Sequence, residues 1–119
     1  MRYINMLFCV LMIMFALVQY NDPDGLLWTA IYMIPAVFAG LAAFQPRQLQ
    51  SGIGRVALAT ALVAGIGCVV YYWPTIPEFW RKDVWWQTET AREGMGVMIG
   101  FAVLLIAFLT TRSISASAK

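Results

Sequence analysis

Two neighbouring carboxylates follow directly on an apolar stretch near the start of the chain. The motif YNDPDG supplies Asn21, Asp22 and Asp24 after a run that contains no charged residue. An aspartate here can cap the free backbone amides of a following helix, and Pro23 suits the first helical position. Capping explains one of the acids, but a carboxylate beside the negative end of the preceding helix is unfavourable. The motif therefore predicts a positive partner nearby.

A second group of charged side chains stands at the start of the last apolar run. In the motif ETAREGMG, Glu89 and Glu93 are four residues apart and share one helix face with Arg92. Glutamates suit the positive end of a helix, whereas an arginine there indicates that acids from elsewhere lie close to it. We predict an ion pair between Arg92 and either Asp22 or Asp24.

The two motifs together offer four carboxylates, whose oxygens are the ligands that hard cations such as Ca²⁺ prefer. The candidate metal ligands are Asp22, Asp24, Glu89 and Glu93. A network of ion pairs is the simpler interpretation, because acidic side chains are common on loops. We predict one polar site formed by both motifs, with the metal left undecided. Its members are Asn21, Asp22, Asp24, Trp28, Glu89, Arg92 and Glu93.

Several classes of chemistry find no support in the chain. It contains no histidine and no GxSxG, P-loop or HExxH motif. The two cysteines, Cys9 and Cys68, lie inside apolar runs and suit small buried residues better than a disulfide or a metal site. A net charge of +2 without a dense basic stripe argues against nucleic-acid binding. We expect no cofactor, and binding is favoured over catalysis.

The elements that position these residues are membrane-spanning helices. Of the 119 residues, 61% are hydrophobic and only 12% are charged, which is typical of a membrane protein. Four uncharged runs are each close to the ~20 residues that a helix needs to cross a bilayer. They predict helices over 3–21, 25–45, 54–73 and 89–111. The predicted fold is all-α, an integral membrane four-helix bundle in a single domain over residues 1–119.

Charged residues are distributed unequally between the two ends of the predicted bundle. Five basic residues and no acid fall at the end that holds both termini, namely Arg2, Arg47, Arg55, Arg112 and Lys119. All six acids and three basic residues fall at the opposite end, which we call the outer face. Because basic residues favour the cytoplasmic side, we expect a multi-pass protein of the cell membrane, such as a bacterial inner membrane, with cytoplasmic termini.

The outer face also carries all five tryptophans. The connection over 75–87 mixes aromatic and charged residues, which predicts a short interfacial helix after Pro77. Tryptophan is typical of the lipid headgroup region. The predicted interfacial anchors are Trp73, Trp80, Trp85 and Trp86. We also expect the segment 80–86 to cover the polar site.

The two motifs resemble those of the transmembrane protein 220 family, small four-helix membrane proteins of bacteria and animals. The similarity rests on FALVQYNDPDGLLWTAIY near the start of the chain and on ETAREGMG before the last helix. It covers residues 1 to about 44 and 88–111, and 45–87 carries no recognisable pattern. The resemblance implies a four-helix fold and no established reaction.

Two classes of function remain. The favoured one is a non-enzymatic accessory or scaffold subunit whose acidic, tryptophan-rich outer face binds a partner protein, a lipid headgroup or a cation. The alternative is a small-molecule or lipid carrier, or a lipid-modifying enzyme, that uses the outer carboxylates inside a pocket. The expected partners are membrane lipid and a membrane protein, and not nucleic acid.

Overall fold

The computed structural model describes residues 1–21 and 23–118, and all of their side chains except those of Trp86 and 115–118. Within these residues the chain forms six helices and no strand. The helices are α1 Arg2–Leu17, α2 Gly25–Phe44, α3 Pro46–Gln50, α4 Gly52–Tyr71, α5 Lys82–Gln87 and α6 Glu89–Ala118. The all-α prediction is confirmed.

Three of these helices, α2, α4 and α6, are long and apolar enough to cross a membrane. The first helix, α1, has 16 residues, which is about 24 Å at 1.5 Å per residue and short of a full span. The prediction of a helix over 3–21 was therefore too long. The Gln19 amide bonds to the Ala16 carbonyl three residues earlier, and the Gln19 side chain donates to the Phe15 carbonyl at 3.2 Å. These contacts tighten the chain and end the helix in turns.

The remaining differences from prediction lie in the connections. α4 begins and ends two residues before the predicted 54–73, and α6 continues past its predicted end. The unpredicted α3 has a proline at its start and buries Leu49. The interfacial helix expected after Pro77 begins only at Lys82. Its delay has a local cause, because Glu78 has a positive φ of 55°, which a right-handed helix does not accommodate.

α1, α2 and α6 meet in a common core. α1 packs along α2, and α2 packs against α6. The buried core residues are Met12, Ala16, Trp28, Tyr32, Ala36, Ala39, Val97 and Val103. Alanines on α2 let the neighbouring helices approach closely, as small residues do in membrane proteins. The outer half of this core, around Trp28 and Tyr32, forms the base of the candidate site.

α4 lies at the edge of this core rather than inside it. It packs chiefly against α6 and α3, and only 6% of the residues in its most apolar stretch are buried, compared with 39% for α2 and 50% for α6. The membrane-helical class is therefore as predicted, but the arrangement is three packed helices with a fourth at their side. Small residues occur on all sides of α4, so the sequence did not indicate which of its faces would pack against the other helices.

Candidate functional site

A cavity of about 540 Å³ lies at the outer face, between the end of α1, the start of α2, α5 and the first turns of α6. Its charged lining consists of Glu89, Arg92 and Glu93. These residues share a face of α6 because they are three and four residues apart. Glu89 and Arg92 are exposed, and Glu93 is half-buried. The charges therefore run from the solvent-exposed rim into the cavity.

The aromatic part of the lining is formed by Phe15, Trp28, Tyr32 and Trp85. Trp28 and Tyr32 lie one turn apart on α2, are 2% and 6% exposed, and have ring centroids 5.8 Å apart. Phe15 of α1 meets Tyr32 edge-on at 5.4 Å. Such ring pairs add to the energy of simple burial, so this wall is preformed.

Trp28 connects the cavity to the YNDPDG turn. Its indole Nε1 donates a hydrogen bond to Asp24 Oδ2 at 3.1 Å. Asp24 is the N-cap residue of α2, but its side chain makes no capping bond, and the helix begins at Gly25. The helix thus begins where the predicted span 25–45 begins, but Asp24 does not cap it through its side chain. The Asp24 carboxylate instead holds a buried indole in place.

Gly96 allows α2 and α6 to approach closely beneath the cavity. A Cβ atom at this position would collide with the Tyr32 hydroxyl and would lie 3.0 Å from its Cζ. Gly96 is one turn from Glu93 and, like it, lines the cavity. The Tyr32 phenol therefore occupies space that is available only because Gly96 has no side chain.

The electrostatics around Tyr72 link the two motifs. Tyr72 follows α4, is half-buried, and has its ring centroid 5.0 Å from that of Trp28. Burial is the main cause that raises the pKa of the Tyr72 hydroxyl, Tyr71 and Cys68 raise it next, and the negative charges of Glu93 and Asp24 add smaller effects in the same direction. Asp24 belongs to the first motif and Glu93 to the second, so carboxylates of both motifs act on one side chain.

The structure brings part of the predicted polar site together. The predicted residues that line the cavity are Trp28, Glu89, Arg92 and Glu93. Asn21 is exposed in the turn and is not part of the lining, and Asp24 meets the lining through Trp28. Asp22 lies outside the described residues. The ion pair of Arg92 with Asp22 or Asp24 stays a prediction.

The predicted tryptophan anchors have different environments. Trp73 and Trp80 are 54% and 62% exposed, and their rings meet Phe79 at 6.0 and 5.3 Å. Trp85 is half-buried and lines the cavity, whereas the Trp86 side chain is outside the described part. Of the described tryptophans in the expected cover, Trp85 contributes to the cavity and Trp80 packs on its neighbour.

A metal site receives no support from the described acids. Across residues 1–21 and 23–118, the His, Cys, Asp and Glu side chains form no group of three or more that could hold an ion. Of the four candidate ligands, Glu89 and Glu93 line the cavity, Asp24 bonds to Trp28, and Asp22 is not described.

Sequence reasoning missed the apolar half of the site. Phe15, Tyr32 and Gly96 were not selected, although Glu89, Glu93 and Gly96 follow a helical spacing of i, i+4 and i+7. Extending that face by one more turn would have found Gly96. Tyr32 stands one turn after Trp28 and could have been found in the same way.

Comparison with known proteins places the chain among membrane proteins. Residues 11–109 match the family described as Transmembrane family 220, helix. The match includes 45–87, where no pattern had been recognised. The chain is also similar to a 4-hydroxybenzoate solanesyltransferase from Synechocystis sp., with 31% identity over 99 residues that make up 78% of this chain and 31% of the transferase. This chain thus spans less than a third of that relative's length. No solved structure matches this chain. Because the family match contains both polar motifs and most of the chain, the protein belongs to the transmembrane 220 family.

Proposed function

We propose that the protein is a non-enzymatic accessory module of the cell membrane that binds a zwitterionic phospholipid headgroup in the outer-face cavity. The cavity carries this proposal, because it joins charges of both signs to a buried aromatic wall at one end of the spanning helices. Polar groups of this kind orient a ligand, and aromatic rings supply contact area. The charge distribution along the chain supports cytoplasmic termini, with the cavity at the opposite leaflet.

Each part of such a headgroup has a counterpart in the lining. The guanidinium of Arg92 suits a phosphate, which it can bind through two parallel N–H···O bonds. An ammonium group is attracted by the carboxylates of Glu89 and Glu93 and by the face of a neighbouring indole. Because two carboxylates accompany one guanidinium, a ligand with a cationic group is favoured over a lone phosphate. The described acids give a metal cation less support than this lipid.

The accessory role is supported by the exposed aromatic surface beside the cavity. Trp73 and Trp80 expose more than half of their area, with Phe79 packed between them. Tryptophan is enriched where proteins meet partners and where they meet headgroups. We propose that this surface contacts a second membrane protein while the cavity holds lipid. Photo-cross-linking from position 80 in native membrane tests this contact. Recovery of lipid adducts alone would contradict a protein partner.

The lipid site is tested by titrating the detergent-purified protein with short-chain phosphatidylethanolamine and phosphatidylcholine. Trp28 and Trp85 line the cavity, so tryptophan fluorescence reports occupancy directly. Arg92→Gln is expected to weaken binding by about tenfold to a hundredfold, since a hydrogen bond to a charged group is worth roughly 1.5–3 kcal/mol. Lys82→Gln is the matched control, because Lys82 is an exposed base at the same end that does not line the cavity.

The contrary results are equally specific. Equal lipid binding by Arg92→Gln and Lys82→Gln would contradict the proposed contact between Arg92 and the phosphate. A phosphate-only ligand that binds as tightly as the lipid would contradict the preference for a zwitterionic headgroup. Glu93→Gln should weaken the binding of a lipid that carries an ammonium group. Glu78→Gln should not, because Glu78 is an exposed acid outside the lining.

A lipid-modifying enzyme is the second candidate, favoured by two observations. The relative from Synechocystis sp. is a solanesyltransferase, and the described carboxylates Glu89 and Glu93 stand in a cavity rather than on a plain surface. Incubation of the purified protein with 4-hydroxybenzoate and a solanesyl donor discriminates the two functions. The binding module gives no product, and a product that disappears in Glu93→Gln would replace our proposal with the enzyme.

A further inference from the structure

A second cavity, of about 520 Å³, lies at the end of the molecule opposite the outer face. It is enclosed by the start of α1, the end of α2, the beginning of α3 and the last described turns of α6. Its polar lining is formed by Arg2, Thr110 and Ser113, and its apolar lining includes Ala43, Phe44 and Ile114. A polar half and an apolar half thus meet where spanning helices end.

The charge at this end has one sign only. All acids of the chain belong to the outer-face segments 22–24 and 78–93, while Arg2, Arg47, Arg55 and Arg112 belong to this end. Among the described residues, the ion pairs formed by Arg81 with its neighbours are at the outer face, and none involves Arg2. Within residues 1–21 and 23–114, whose ion pairs are described, the Arg2 guanidinium on the cavity wall therefore has no carboxylate partner.

The Arg2 guanidinium is held against the wall of the cavity. Its Cζ atom lies 5.8 Å from the centroid of the Phe44 ring, within the range of a cation–π contact. This contact leaves the N–H groups at the edges of the guanidinium plane able to donate to an oxyanion. Arg2 is therefore positioned as well as charged.

Behind the wall, α1 is fixed to α6 by a buried hydrogen bond. Asn5 Nδ2 donates to Thr110 Oγ1 at 2.8 Å, and it also donates to the Met1 carbonyl at 2.9 Å. Asn5 and Thr110 are 0% and 3% exposed. Because Met1 and Thr110 both line the cavity, this bond holds two of its sides at a set separation. The cavity is thus part of the packed structure and not a gap between loose ends.

We infer that this cavity binds the phosphate of an anionic phospholipid such as phosphatidylglycerol. Arg2 supplies the charge, Ser113 supplies a hydroxyl, and the first carbons of the lipid lie against Phe44 and Ile114. A lipid is favoured over free phosphate because half of the lining is apolar and the site lies at the membrane boundary. Anionic lipids of the cytoplasmic leaflet are attracted by basic segments of this kind. The site is independent of the outer-face cavity.

The test is binding of short-chain phosphatidylglycerol to the full chain in a neutral detergent, measured by native mass spectrometry and by the thermal midpoint. Phosphatidylcholine with the same chains and inorganic phosphate are the comparison ligands. We expect phosphatidylglycerol to bind and to raise the midpoint, and Arg2→Gln to weaken its binding about tenfold. Arg55→Gln removes an exposed arginine at the same end that does not line the cavity, and should bind as the wild type does.

Several results would overturn the inference. They are equal binding of phosphatidylcholine, an equal effect of inorganic phosphate, or an equal loss in Arg2→Gln and Arg55→Gln. If Arg2→Gln does not fold, Ser113→Glu places a negative charge on the exposed part of the same wall, and retained phosphatidylglycerol binding in that variant would refute the site. Arg92→Gln should leave phosphatidylglycerol binding unchanged, so failure at one cavity is distinguishable from failure at the other.

Discussion

Replacement of Gly96 by alanine tests the close approach of α2 and α6 beneath the outer-face cavity. The added methyl group would collide with the Tyr32 hydroxyl, and the ring carbons Cζ and Cε1 would lie at 3.0 and 3.2 Å. Tyr32 is 6% exposed and is held between Phe15 and Trp28, so the ring cannot turn away without disturbing both. Overpacking of this kind costs about 1–3 kcal/mol.

The intrinsic preference of the helix acts in the opposite direction. Alanine in a helix interior is better than glycine by roughly 0.5–1 kcal/mol. Gly67 of α4 is the matched control, because a Cβ atom there meets nothing within 4 Å. Gly67→Ala should therefore be neutral or slightly stabilising. The difference between the two variants isolates the overpacking term of about 1–3 kcal/mol.

The assay is reversible unfolding in mixed micelles, followed by tryptophan fluorescence. Tyr32→Phe removes the colliding hydroxyl oxygen, so the double variant Tyr32→Phe/Gly96→Ala should recover part of the loss as a coupling energy. The cost should not be recovered in full, because the ring carbon Cζ remains close. Equal free energies of unfolding for Gly96→Ala and Gly67→Ala would refute the packing that we describe.

Three further predictions concern other parts of the molecule. Arg81→Ala should change the free energy of unfolding by less than about 1 kcal/mol in high salt, because its ion pairs with Glu78 and Asp83 are more than half exposed. Asn5→Ala should cost less than about 2 kcal/mol by the same unfolding assay, because the loss of its two side-chain hydrogen bonds is partly offset by removal of the buried Asn5 Oδ1, which has no partner among the described residues. In a cysteine-free background, cysteines at 51 and 75 should be labelled from opposite sides of the membrane, and labelling of both from one side would contradict the span assigned to α4.

The positions of the long helices were predictable because uncharged runs of this length have few alternatives. α2 and α6 begin at the predicted residues, since Gly25 and Glu89 each follow a segment of turn-forming or polar residues. The end of α1 was not predictable from hydropathy, because Val18 is as apolar as the residues inside the helix. Its end depends on local bonds of Gln19, which composition does not encode.

The candidate site was predictable only in its charged half. Charges in a membrane protein are few, so Glu89, Arg92 and Glu93 attract attention by type alone. Phe15 and Tyr32 are two of many aromatic residues, and nothing in their type separates a cavity wall from ordinary core. Their selection requires knowing which faces of α1, α2 and α6 meet, which is a property of tertiary packing.

α4 is the long helix that packs least, and because it lies at the edge of the core it takes no part in either of the two cavities. The lining of the outer-face cavity comes from α1, α2, α5 and α6, and that of the opposite cavity from α1, α2, α6 and the start of α3. α4 contributes no residue to either lining. Both cavities therefore depend on the same three-helix core, which joins an acidic end to a basic end through small residues on α2. Gly96 fixes that core near one end and the Asn5–Thr110 bond fixes it near the other. A substitution in the lining of one cavity should therefore leave the ligand preference of the other cavity intact.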